Sequence, residues 1–124
     1  MQRFRKAVEA VDPEALVASL AEDVVFQSPI VFRPYRGRAD VGKLLRAVMK
    51  VLHDFRYVDE LRSEKEVALV FKAKVGDREV EGVDLIETNA GGLVTHLTVF
   101  VRPLSAAHAL AEAMQAQLLA AGSP

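Results

Sequence analysis

The period of the hydrophobic positions switches along this chain from helical to strand-like and back. Near the start, Phe4 and Val8 lie four residues apart, as on a short helix. The stretch "AVDPEALVASLAED" follows, with Asp12 placed to cap a helix whose first position is Pro13. "DVVFQSP" then turns strand-like and stops at Pro29, and "IVFRPYRGRAD" is irregular. Over residues 40–52, Val41, Leu44, Leu45, Val48, Val51 and Leu52 form the i, i+3, i+4, i+7 stripe of an amphipathic helix. Strand-like runs follow at residues 55–62, 66–75, 78–88 and 93–102. Gly76 and Asp77 close one tight hairpin, and "NAGG" closes a longer one. Beyond Pro103, Ser105 is positioned to cap a last helix running to about Ala121, striped by Ala107, Leu110, Ala111, Met114 and Leu118. Helices first, then an antiparallel meander, predict an α+β fold. The single domain spans residues 1–124, with the C-terminal helix over 104–121.

Composition narrows the classes of function. The chain is 51% hydrophobic and 27% charged with a formal net charge of −1, so nothing favours nucleic acid. It has no cysteine, which removes disulfides, thiolate nucleophiles and zinc–thiolate sites. "MQRFRK" carries charge where a signal peptide needs an apolar core, and no apolar run reaches membrane-spanning length. The expectation is a cytoplasmic protein with no membrane partner. Three scattered histidines give no metal-ligand spacing, and no phosphate loop or nucleophile elbow occurs. No metal or cofactor is therefore expected.

Within "GVDLIETNAGGLVTHLTVFVRP", Asp84 and His96 interrupt two aliphatic strands. Alternation puts Val80, Gly82, Asp84 and Ile86 on one face of the first, with Val83 and Leu85 opposite. On the second, Val94, His96, Thr98 and Phe100 share a face, with Leu97, Val99 and Val101 behind. A three-residue loop at residues 89–91 pairs Asp84 with His96; a slip of two pairs it with Thr98 and leaves His96 diagonal. In both registers the side chains can interact, with Cβ atoms about 4.5–8 Å apart. Both faces are apolar, so the sheet needs two covers: helices on one side and a second copy of the chain on the other.

The order of elements resembles the SnoaL-like members of the nuclear-transport-factor-2-like superfamily, which are cone-shaped domains whose curved sheet wraps around N-terminal helices. The resemblance rests on "DPEALVASLAEDVVFQSP", "RGRADVGKLL" and "EGVDLIETNAGGLVTHLTVFVRP". It implies a pocket inside the cone, with Asp84 and His96 facing it. Against the ketosteroid isomerases of the superfamily, the general-base position falls on Ser28, before Pro29, and the oxyanion-hole tyrosine on Phe4. Their second oxyanion donor, a carboxylic acid kept neutral by an apolar site, falls on Asp84. Pocket-lining positions fall on Val67, Leu69, Phe71, His96, Thr98 and Phe100. With base and tyrosine both absent, steroid-type isomerisation is not expected, because a serine hydroxyl is too weak a base at neutral pH.

Asp84 and His96 thus stand as candidate catalytic residues, the carboxylate orienting an imidazole that serves as general acid or base. Phe4, Ser28, Tyr35, Val67, Leu69, Phe71, Thr98 and Phe100 stand as candidate ligand contacts. Arg33, Arg36 and Arg38 surround Tyr35 in "FRPYRGR", which reads as a solvated loop. The expected partners are a small apolar ligand and a second subunit bound through the outer sheet face. The readings of function are acid–base catalysis of isomerase, cyclase or hydratase type, a non-catalytic binder, or a dimerisation module with a vestigial pocket.

Overall fold

Asp12 adopts extended backbone angles and its carboxylate accepts a hydrogen bond from the Ala15 N–H at 3.1 Å, so α2 (Pro13–Ala18) starts where the Asp-Pro pair dictates. It is preceded by α1 (Gln2–Glu9) and followed by β1 (Leu20–Gln27) and a two-residue strand, β2 (Tyr35–Arg36). The amphipathic stripe forms α3 (Arg38–Val51), entered through Gly37 at φ 92°, a value that favours glycine. Then come β3 (His53–Arg62), β4 (Glu66–Val75), β5 (Arg78–Thr88), β6 (Val94–Arg102) and α4 (Leu104–Ala120). The computed structural model describes residues 1–120; the expected helix end at Ala121 lies outside them.

One sheet runs in the order β2-β1-β6-β5-β4-β3. Neighbours are antiparallel except β1 and β6, which run parallel. The parallel contact arises because the chain crosses from one edge to the other through α3 and returns by the meander. The sheet is curved and open, and its concave face carries the helices. Arg5 on α1 reaches Glu60 on β3 with an N–O distance of 2.8 Å, tying the far edge strand to the first helix.

The core has two parts. Phe4, Ala7 and Leu16 of the first helices pack with Val41 and Leu45 of α3 against Leu69, Ile86 and Leu97 of the sheet. Ala106 and Leu110 of α4 pack with Val51 against Phe71, Ala73, Val75 and Val80. The apolar stripe of α4 is therefore turned from the one expected: Ala106 and Leu110 are buried, while Ala107 and Ala111 are only partly covered. Among the described residues, no capping hydrogen bond involves Ser105, which lies inside the first turn of α4. The Pro103 carbonyl accepts from Ala106 and Ala107 N–H instead.

Gly82 on β5 has a packing role that the pattern of apolar residues does not announce. A Cβ there would lie 2.3 Å from Phe71 Cζ and 2.5 Å from the Phe100 carbonyl oxygen. Gly82→Ala is expected to lower stability by about 1–3 kcal/mol, the usual cost of forcing volume into a packed core. Urea unfolding measures it, and an unchanged midpoint would show that the Phe71 ring and strand have room to yield.

Candidate functional site

A cavity of about 120 Å³ lies between the helices and the concave face. Phe4 and Val8 enter from α1, Leu45 and Met49 from α3, Leu97, Val99 and Val101 from β6, and Leu110 from α4. Phe55, Tyr57 and Phe71 form an aromatic wall, with Phe55 stacked on Phe71 at 4.8 Å and edge-on to Tyr57 at 5.0 Å. Eighteen of the described residues line it, and among these only Tyr57 and Asp84 have polar side chains. Val11, largely exposed, marks the mouth, and Pro29, Val48 and Leu52 are among the half-buried lining residues.

Asp84 points inward with Val80 and Ile86 and is 7% exposed. The Tyr57 hydroxyl donates to its Oδ2 at 2.7 Å. Oδ1 has no such bond, and no fully enclosed side-chain oxygen is left unpaired among the described residues, so Oδ1 opens onto the cavity. Burial pushes the Asp84 carboxyl up to about 7, opposed in part by the Tyr57 hydrogen bond. Burial also raises the Tyr57 hydroxyl, assisted by the neighbouring Asp84 charge. The Arg5 guanidinium lies over the Tyr57 ring, 5.4 Å from its centroid. Glu60 and Glu9 hold that arginine at 2.8 and 3.3 Å.

His96 is not part of this site. Asp84 pairs with Val99 and Glu87 with His96, so His96 lies on the convex face, 58% exposed, with Nδ1 2.9 Å from Glu87 Oε2. The register shifts by one residue between Glu87 and Thr88, leaving Thr95 as an extra residue in β6. Val94 and Leu97 consequently both face inward, and every following residue changes sides. Thr98 and Phe100 go outward with His96; Thr98 donates to Gln27 Oε1 at 3.1 Å, and Phe100 is 55% exposed.

The remaining sequence candidates divide. Phe4 and Phe71 line the cavity. Val67 and Leu69 are buried on the same face of the sheet but belong to the packed core and do not border the cavity. Tyr35 stacks on Phe26 near the sheet edge, with centroids 6.3 Å apart, outside the cavity. Ser28 is committed to its own loop: its Oγ accepts from Ile30 and Val31 N–H at 3.2 and 2.9 Å. Tyr57 was not singled out from the sequence. Its signal is weak, because β3 carries a register shift between Tyr57 and Asp59 that breaks alternation. Among the described residues, no three His, Asp or Glu side chains cluster as metal ligands.

Residues 1–97 match the family of the SnoaL-like domain. The chain belongs to that family. Its fold is nuclear-transport-factor-2-like, and it is similar to a steroid delta-isomerase from Pseudomonas aeruginosa, at 34% identity and TM-score 0.92 over 98% of this chain and 90% of that one. It is also similar to an uncharacterised protein with a cystatin-like fold from Silicibacter pomeroyi, at 37% identity and TM-score 0.89 over 95% and 84%. An NTF2-like protein of unknown function from Mesorhizobium loti shares the fold alone, at 20% identity and TM-score 0.73 over 83% and 88%. No curated protein matches this chain.

The buried carboxyl has a consequence for stability. Asp84 in the native state binds its proton up to a pH of about 7, whereas in the unfolded chain it releases it near 3.8. Between those values the unfolded state binds fewer protons, so this residue makes stability fall as pH rises. The loss is complete above about pH 7 and is on the order of 4 kcal/mol. Asp84→Asn removes the titration, so the gap in stability between the variant and the wild type widens in the variant's favour from pH 4.5 to 8. Parallel pH dependences in chemical denaturation would show that Asp84 ionises normally.

Proposed function

We propose that the cavity binds a small apolar molecule through one carbonyl or hydroxyl group, and that Asp84 transfers a proton to and from it. The observation that carries this reading is the free Oδ1 of a buried carboxyl in an otherwise apolar chamber. A carboxyl titrating at about 7 is present in both forms at neutral pH. The ionised form takes a proton from carbon beside a carbonyl, and the acid form returns it one allylic position away. Such an isomerisation balances with no co-reactant. Tyr57 acts as a positioning residue, since its hydroxyl fixes Oδ2 and leaves Oδ1 toward the ligand. The similarity to a steroid delta-isomerase supports the reaction class; the absence of a base at Ser28 weighs against it unless Asp84, titrating at about 7, takes the base's place. The occupied hydroxyl of Ser28 and the phenyl ring of Phe4 support a mechanism that relies on Asp84 alone.

The size of the chamber bears on the ligand. A cavity of about 120 Å³ is comparable with engineered apolar cavities that hold one benzene ring. The buried part of the ligand is then one ring, and anything larger extends through the mouth. The test is a panel of single-ring unsaturated ketones and alcohols, followed by calorimetry for binding and ultraviolet absorbance for conjugation. For proton transfer, Asp84→Asn keeps affinity within about threefold and lowers turnover by about 10²–10⁴. Tyr57→Phe moves the pH profile upward, because the lost hydrogen bond had favoured the ionised acid. Binding without turnover in the wild type, abolished in Asp84→Asn, would instead establish a non-catalytic binder. No binding by any member would leave the cavity without this role.

The convex face supports a homodimer. Val70, Val83, Leu85 and Phe100 make its apolar centre. Charged pairs flank that centre, with Lys72 and Arg102 on Glu81 at one end and Lys65 and His96 on Glu87 at the other. An apolar centre within a charged rim is the anatomy of an interface between folded partners. Phe100→Glu is expected to convert a dimer of the 13.6 kDa chain to monomer in light scattering while leaving the fold's circular dichroism intact. A monomeric wild type would end this assignment.

A further inference from the structure

The segment between β1 and β2 presents Ile30, Val31 and Phe32 to solvent, and Phe32 is 99% exposed. Their backbone is not loose, since Ser28 Oγ accepts from two successive N–H groups and Pro34 follows. Isolated exposed apolar side chains are ordinary, but three in sequence at a loop tip form a patch. The flanking charge is of one sign. Arg33 and Arg36 are exposed and make no ion pair among the described residues, and no carboxylate occurs between Asp23 and Asp40.

We propose that this loop docks on an anionic lipid surface, with Phe32 and its aliphatic neighbours entering the interfacial layer and Arg33 and Arg36 meeting lipid phosphates. A protein partner fits less well. Three side chains fall far short of the roughly 800 Å² per side of a standard interface, whereas a bilayer needs no matching shape. Pro29, at the base of the loop, lines the cavity. Docking therefore turns that side of the cavity toward a phase in which small apolar molecules concentrate. That delivery role rests on the reading of the cavity as a ligand site; docking itself does not.

The chain has no tryptophan, so Phe32→Trp places a single reporter at the tip. Co-sedimentation and fluorescence use vesicles of phosphatidylcholine with about a third phosphatidylglycerol, and vesicles of phosphatidylcholine alone. The wild type is expected to bind the anionic vesicles about tenfold or more tightly than the neutral ones, and the tryptophan to shift to the blue on binding. Phe32→Ser lowers binding by about tenfold or more. Arg33→Gln with Arg36→Gln reduces it on anionic vesicles only. Asp84→Asn binds vesicles as the wild type does, which separates this surface from the cavity. Failure of the wild type to sediment with anionic vesicles, or a Phe32→Ser variant that sediments equally, would overturn the proposal. So would loss of self-association, with no vesicle binding, on changing Phe32.

Discussion

Two aliphatic side chains, Val94 and Leu97, are both fully enclosed, and they lie three residues apart on one strand. In an unbroken strand, residues separated by three point to opposite faces. The core therefore demands an extra residue between them, and Thr95 supplies it, with its hydroxyl donating to the Glu87 carbonyl at 3.1 Å. The constraint is anchored at its start, where the Val94 N–H donates to Ser19 O at 2.9 Å and fixes the strand to the end of α2. From that point Leu97, Val99 and Val101 face the chamber, while His96, Thr98 and Phe100 face outward. The chamber's apolar character and the convex patch both follow from this one insertion.

Reading the strands from sequence succeeds where alternation is unbroken and turns are short. β4 and β5 occupy residues 66–75 and 78–88 as expected, joined by a two-residue turn with Gly76 at φ 59°. Alternation puts Asp84 on one face with Val80, Gly82 and Ile86, but Val83 and Leu85 make the other face apolar too, and only the resemblance to the SnoaL-like domains turns Asp84 inward. For β6, unbroken parity gives two wholesale answers, each correct for one strand. Turning the aliphatic row inward is right for Leu97, Val99 and Val101, and turning the Asp84 face inward is right for β5. Only the bulge permits the mixture. Its trace in the sequence is the pair of strong core formers at opposite parity, Val94 and Leu97, which simple alternation treats as a conflict. The cavity's second polar group, Tyr57, is masked in the sequence for the same reason, as β3 also carries a shift beside it.

Among the described residues two polar or charged side chains are buried, and they are employed differently. Ser19 donates its hydroxyl to the Leu16 carbonyl at 2.6 Å, a local closure at the end of α2. Asp84 uses one oxygen on Tyr57 and leaves the other on the chamber. Because Oδ1 is not enclosed, it faces the chamber and no protein partner takes it up. The positioning of Tyr57 is itself costly in ordered groups: Phe55 at its edge and Arg5 across its face, with Arg5 held by two carboxylates. That much fixation behind a single carboxyl suits a site in which the direction of one oxygen matters.

The mouth of the chamber carries the clearest backbone strain. Val11 has φ 52°, a left-handed conformation that costs a branched residue on the order of 1–2 kcal/mol. The surrounding bonds hold it there: Val11 N–H donates to Val8 O at 3.1 Å, and Asp12 N–H to Ala7 O at 2.9 Å. The tight turn lets α1 and α2 both reach the chamber, through Phe4 and Leu16, with only Ala10, Val11 and Asp12 between the helices. A longer, relaxed linker would let α2 withdraw and widen the opening. Since Val11 itself borders the cavity while largely exposed, the strain fixes an apolar side chain on its rim. The rim at this point is therefore apolar surface, against which a charged group would lose its hydration without gaining a partner.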